Sequence, residues 1–255
     1  VAVHKFSSCD GCQLAFLNAG EDLLTLTELV DIRWFAEAGV QIAEGPVDIA
    51  FVEGSVSTRR EREHILRIRE QSKLLITIGA CATSGGLQAL RNLADGDAWL
   101  ADLYASPEYI DSLSTATPIT DHVPVDFQIW GCPCNGEQVL GAVRDLLFGV
   151  APRASPDKVC MECKRRQTVC TMVTRGAPCM GAVTRGGCGA LCPAFGRDCY
   201  GCFGPAETAN SKSLGRRLEG LGLVPDQIAR RFWMIHSGAP AFHHEGRRWK
   251  GRGND

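Results

Sequence analysis

Three absences bound this chain of 255 residues before any motif is read. It has no apolar run near the ~20 residues that a bilayer span needs, so no membrane segment is expected. It has no excess of one charge: 27 Lys and Arg face 29 Asp and Glu. That balance gives no electrostatic case for nucleic acid. From Val1 onward there is neither a charged stretch leading into an apolar one nor a twin-arginine pattern. Hydrophobic residues, at 45%, are sufficient for a sizeable core. What is abundant is cysteine, with 13. An odd total, C-x-x-C groupings and the lack of a secretory signal argue against a disulfide framework and for metal ligation.

Cys9-Asp10-Gly11-Cys12 follows a short apolar run, Val1 to Phe6, that reads as a strand. Two thiolates two residues apart can ligate one centre from one loop, with Gly11 expected to supply the tight turn. Alone, this pattern fits zinc, an iron–sulfur cluster or a dithiol pair. Its meaning comes from the next cysteines. Leu74 to Ile78 is an unbroken β-rich run that delivers Gly79-Ala80-Cys81. Val125 to Trp130 reads as the next strand, delivering Gly131-Cys132-Pro133. Further strands are expected at 31–35 and 47–52. Helices are expected at 13–18, 23–30, 58–71, 84–93 and 137–148, with 94–124 irregular. Strands alternating with helices predict an α/β fold with a parallel sheet. Ligands in such sheets bind outside the carboxyl ends of the strands, where Cys9, Cys12, Cys81 and Cys132 all fall. The plain alternative is unrelated buried thiols.

Residues 151–156 read as a linker between a first domain, 1–150, and a second, 151–255. Eight cysteines follow between Cys160 and Cys202: 160, 163, 170, 179, 188, 192, 199 and 202. This glycine-rich stretch has no long periodic helix and little core of its own. Metal binding can supply the missing folding free energy, and eight thiolates suit two four-ligand centres. Cys192-Pro193 echoes the end of ferredoxin cysteine runs. Residues 206–220 read as helix, 232–235 as strand, and the segment from His243, with His243 and His244, as a mobile polar tail. Twelve cysteines fill three sites. Cys134 is left over as a structural thiol.

Together these motifs resemble the small subunit of nickel–iron hydrogenases. The carrying residues are Cys9-Asp10-Gly11-Cys12, Val52-Glu53-Gly54, Gly79-Ala80-Cys81, Gly131-Cys132-Pro133, Cys188-Gly189-Ala190-Leu191-Cys192-Pro193 and Cys199-Tyr200-Gly201-Cys202-Phe203-Gly204-Pro205. They are most similar to the cytoplasmic, NAD(P)-linked or sulfhydrogenase branch. The resemblance implies a flavodoxin-like domain holding a proximal [4Fe-4S] cluster on Cys9, Cys12, Cys81 and Cys132, followed by a loop-rich iron–sulfur domain. It implies a medial [4Fe-4S] cluster on Cys188, Cys192, Cys199 and Cys202, with Cys192 where many relatives have proline. A distal [4Fe-4S] cluster follows on Cys160, Cys163, Cys170 and Cys179, with Cys160 where many have His. A ferredoxin-like interleaving of ligands is the alternative partition. No catalytic residue is expected in this chain. The implied partners are a large subunit holding the nickel–iron site and flavin/NAD(P)-binding and iron–sulfur diaphorase subunits.

Other readings stay open. Supply of a heterodisulfide reductase replaces NAD(P) in one. A zinc scaffold is another. A respiratory complex I subunit shares the fold but would have adjacent cysteines in place of the C-x-x-C. Uptake enzymes carry a Glu two residues past the second cysteine, where this chain has Leu14. Glu53 is expected at a subunit interface, or else as a solvated or capping carboxylate. Lys164-Arg165-Arg166 is a solvated turn, or else a dock for an acidic redox partner or a means of raising the distal cluster's potential.

Overall fold

The run Leu74–Ile78 reads as unbroken because layers cover both of its faces. A computed structural model describes residues 1–42 and 45–252. The chain forms two compact units, Val1–Pro152 and Arg153–Asp255. In the first unit, the described residues form a sheet of β1 (Ala2–Lys5), β2 (Trp34–Phe35), β3 (Val40–Gln41), β4 (Val47–Glu53), β5 (Ser72–Ile78) and β6 (Phe127–Ile129). The order is β3-β2-β1-β4-β5-β6, parallel except for the β2–β3 pair. Six α-helices accompany it: α1 (Gly11–Leu17), α2 (Glu21–Thr27), α3 (Arg59–Gln71), α4 (Gly79–Ser84), α5 (Gly96–Leu103) and α6 (Gly136–Leu147).

Alternate residues of each central strand feed opposite layers. Phe51, Ile76 and Ile78 join Phe16, Phe35, Val139 and Val143 on the α1/α6 side. Ala50, Val52 and Leu75 join Ile65 and Ile68 of α3, with Ile119, on the other. Each fully buried Ile, Leu or Phe contributes about 1.5–3 kcal/mol of transfer free energy. Thr58 starts α3 with a reciprocal cap. Its hydroxyl accepts the Glu61 N–H, and the Glu61 carboxylate accepts the Thr58 N–H.

Two boundaries differ from expectation. The helix expected at 84–93 starts earlier, as α4 at Gly79, and continues as a 3-10 helix over Gly86–Leu93. The segment 94–124 contains α5, capped by the Asp95 carboxylate, which accepts the N–H groups of Asp97 and Ala98.

The second unit begins with short helices among the cysteines: α7 (Val159–Arg165), α8 (Thr171–Arg175) and α9 (Leu191–Ala194). Longer ones follow: α10 (Ser211–Glu219), α11 (Pro225–Trp233) and α12 (Pro240–Arg252). The strand expected at 232–235 is the end of α11. Its apolar run is short, and periodicity alone does not separate a buried strand from a buried helix turn. The expected mobile tail is α12, which buries Phe242, Glu245, Gly246 and Trp249. His243 and His244 belong to this helix, with His243 Nδ1 2.8 Å from the Ser237 carbonyl. Nor does the cysteine stretch lack a core. Val159, Met180, Val183 and Ala190 pack in one cluster with Leu214, Leu218, Ile228, Phe232, Phe242 and Trp249.

Candidate metal centres

The first site is built by register. Lys5 of β1 pairs with Glu53 of β4, Glu53 with Ile78 of β5, and Ile78 with Ile129 of β6. Four parallel strands therefore end level, and Cys9, Cys81 and Cys132 each follow within four residues. β1 and β4 also flank the point where strand order reverses, the usual ligand crevice of such sheets.

Within the loop, the turn is not made by Gly11. Asp10 takes the left-handed conformation, at φ 65°. Its carboxylate is 2.6 Å from Lys5 Nζ and 3.3 Å from Ser8 Oγ, which holds the strained residue in place. Gly11 is needed for room instead, since a Cβ there would lie 3.3 Å from Cys9 Sγ. Gly79, at φ +86°, is needed on both counts: a Cβ would collide with Cys12 Sγ.

Glu53 is 2% exposed, and its two carboxylate oxygens accept the N–H groups of Cys12 (3.0 Å) and Gln13 (3.2 Å). It joins the end of β4 to the first turn of α1, so capping is its role in this chain. Burial raises its pKa against those hydrogen bonds. Burial pushes the Cys81 thiol up to about 12, helped by Cys132, Cys9 and Glu53, and Cys132 is raised by burial, Cys9 and Glu53. Cys12 Sγ accepts the Cys134 N–H at 3.4 Å, which favours the thiolate, but the Cys12 thiol is raised overall, chiefly by the Cys134 side chain and then by burial. The structure thus brings Cys9, Cys81 and Cys132 near one another past the strand ends, with Glu53 beside Cys81 and Cys132. Cys12 lies against Gly79 and the buried Cys134.

In the second unit, Cys160 and Cys163 lie on α7, and Cys170 precedes α8. Cys163 is pushed up to about 11 by burial and then by Cys160, Cys179, Cys170 and Cys188. Cys188 is raised by burial, with Glu162 and Cys192 adding to it. Cys199 is raised by burial, with Cys179 and Cys202 nearby, and its N–H donates to Cys179 Sγ at 3.2 Å. Cys160, Cys163, Cys170 and Cys179 therefore form one neighbourhood. The other four come as two pairs: Cys188, close enough to Cys163 to raise its thiol, with Cys192, and Cys199, joined to Cys179 by its N–H, with Cys202.

Two residues here went unread in the sequence. Glu162 accepts from the N–H groups of Gly187 (2.6 Å) and Ala190 (3.0 Å), binding the Cys188 loop to α7. An acidic residue between two cysteines of a C-x-x-C was the available signal. His236 is 1% exposed and lies 2.9 Å from the Cys202 carbonyl. Burial holds its pKa down to about 4. No local sequence signal marked it.

Among the described residues, no three His, Cys, Asp or Glu side chains converge on a point suited to a single metal ion. The donor set fits iron–sulfur ligation on other grounds. It is all thiol, cleared by glycine at Cys9 and Cys12, and it carries amide N–H donors on sulfur at Cys12, Cys179 and Cys199. Metal binding would displace the protons that burial keeps on these thiols.

Known proteins match this arrangement. The family described as NADH ubiquinone oxidoreductase, 20 Kd subunit, matches residues 9–146. Sulfhydrogenase 2 subunit delta of Pyrococcus furiosus is 35% identical, over 91% of this chain and 96% of its own. The chain belongs to the [NiFe]-hydrogenase small subunits. A further member, from the F420-non-reducing hydrogenase of Methanocaldococcus jannaschii, is 31% identical over 90% of this chain and 92% of its own. A chain in the crystal structure of an NAD+-reducing [NiFe]-hydrogenase in the H2-reduced state superposes with TM-score 0.55 at 28% identity, covering 60% of this chain and 93% of that one. Hydrogenase small subunits bind iron–sulfur clusters and transfer electrons beside a large subunit. This chain is such an oxidoreductase subunit. No helix among its described residues is long and apolar enough to cross a membrane.

Proposed function

We propose that this small subunit relays electrons from the nickel–iron site of its large subunit, through three [4Fe-4S] clusters, to a flavin/NAD(P)-binding subunit in the cytoplasm. The proximal cluster is assigned to Cys9, Cys12, Cys81 and Cys132 in a first domain, 1–150. The medial one is assigned to Cys188, Cys192, Cys199 and Cys202, and the distal one to Cys160, Cys163, Cys170 and Cys179, in a second domain, 151–255. When bound, such clusters take up and release single electrons. The polypeptide's part is to place thiolates, exclude water and aim amide dipoles at sulfur, which tunes potential.

The observation that carries this reading is the level row of strand ends that brings the thiols of residues 9, 81 and 132 near one another at one edge of the sheet. The NAD(P)-linked acceptor, with flavin and iron–sulfur diaphorase subunits, is supported by the similarity to the NAD+-reducing enzyme's chain. Supply of a heterodisulfide reductase is the second reading. It is favoured by the Methanocaldococcus relative, which aligns through the C-terminal cysteines and is named for not reducing F420.

The test is H2-driven reduction by the purified complex. NAD(P)H should form, and this subunit should hold about twelve irons with equal acid-labile sulfide. Reduction of a disulfide acceptor without NAD(P)H would select the second reading. Zinc without sulfide would remove both.

A further inference from the structure

The charge of −2 conceals two units of opposite sign. Residues 1–152 hold 10 Lys and Arg against 21 Asp and Glu, whereas residues 153–255 hold 17 against 8. Within the second unit, one exposed region joins this positive charge to uncovered apolar side chains. Val169 is 68% exposed, Val173 79%, Leu191 55% and Phe195 79%. Lys164, Arg175 and Arg197 are exposed on the same segments.

Those segments are tied together. Arg166, after α7, donates to the Gly189 carbonyl at 2.6 Å, and Arg175, at the end of α8, donates to the Gly196 carbonyl. Val173 and Phe195 therefore stand on segments pinned to each other. Cys170, itself exposed, lies between Val169 and α8. Large apolar side chains left in water beside one sign of charge mark an interaction surface. A nucleic-acid site would favour cations without bare Phe and Val at its centre. A protein face with an apolar middle and a carboxylate rim fits both features.

We propose that this region docks the acidic face of the electron-accepting subunit, with Phe195 and Val173 at the centre and Lys164, Arg175 and Arg197 at the rim. The inference rests on the relay reading and adds the partner's surface chemistry.

The test is the double variant Lys164→Glu/Phe195→Ser in the intact complex, isolated through a tag on the large subunit. Large subunit, iron content and H2-driven benzyl viologen reduction should match wild type. The accepting subunit, identified by its flavin or iron–sulfur content, should be recovered about tenfold less. Lys164→Arg/Phe195→Leu should restore it. Full recovery in the charge-reversed variant overturns the proposal. Loss of iron or of viologen reduction overturns it too, because those residues would then support the clusters rather than a dock. If the wild-type partner proves not to bind NAD(P) yet is still lost from the variant, the NAD(P) reading fails and the docking surface stands.

Discussion

The two units bring cysteines together in opposite ways. In the first, most of the packing is apolar: two layers enclose the sheet, Cys12 and Cys134 sit in one of them, and Cys9, Cys81 and Cys132 follow the strand ends. In the second, thiols sit inside the packing. Cys199 belongs to the buried cluster, and Cys163, Cys179 and Cys188 pack against it. Loss of Cys9, Cys81 or Cys132 from the first unit should therefore cost the site and spare the fold. Damage to the core of the second should cost both.

The largest break in that comparison is Cys81→Ser. An alcohol is a far poorer soft-metal ligand than a thiolate, so the first unit should lose its cluster and H2-dependent reduction should collapse. Iron in the second unit should stay. Wild-type activity in this variant would refute the assignment.

Cys192→Pro sharpens the comparison inside the second unit. A cuboidal cluster that loses one anchoring thiolate loses the iron it held. Low-temperature EPR of the oxidised variant should show a new [3Fe-4S] signal. A stoichiometric signal already present in wild type, or none in the variant, would remove Cys192 from the ligands and make Cys179 the replacement.

Trp249→Ala attacks the core that the cysteine stretch shares. Trp249 is fully buried, and its indole donates to Glu245 at 2.6 Å. The expected loss is about 3–5 kcal/mol. Second-unit iron should fall with it while first-unit iron persists, which urea unfolding and iron analysis would measure together.

His4 tests the first unit by pH. Burial, with His64 beside it, holds its pKa down to about 4 from 6.5. The folded state thus favours the neutral ring. Its stability is intact above pH 6.5 and lost as pH falls toward 4, by about 3 kcal/mol for this group. His4→Gln should flatten that slope in unfolding measured across the window. An unchanged slope would show that the ring protonates freely in the fold.

The smallest effect is expected from Thr58→Ala. It removes the hydroxyl half of the α3 cap, for about 1 kcal/mol, with no change in iron.

The sequence was most legible where burial is total. β5 reads as an unbroken run because layers cover both faces, and the ends of β4 and β5 located Glu53 and Cys81. It was least legible where few residues carry the packing. In α12 only Phe242 and Trp249 supply large apolar surface. Glu245 and Gly246 fill the positions between them, so the stripe reads as polar. Asp10 was hidden for a different reason. Its left-handed backbone is held by Lys5 and Ser8, contacts that exist only once β1 has placed them. The partition of the eight later cysteines is also not a matter of spacing, since Cys179 accepts the Cys199 N–H and also raises the Cys163 thiol, across loops that pack only in three dimensions.

The level row of strand ends also sets a timetable. Its thiols run from residue 9 to residue 132, a span of 123 residues, against 42 from Cys160 to Cys202. During synthesis, the first site has no complete form until β6 has left the ribosome and paired with β5. Such long-range pairing is the slow part of a folding reaction. The eight later thiols emerge together within one short stretch. Cofactor delivery to the edge of the sheet therefore waits on the pairing of distant strands, whereas delivery to the second unit waits on α10 to α12, the helices that follow its cysteines and close their core.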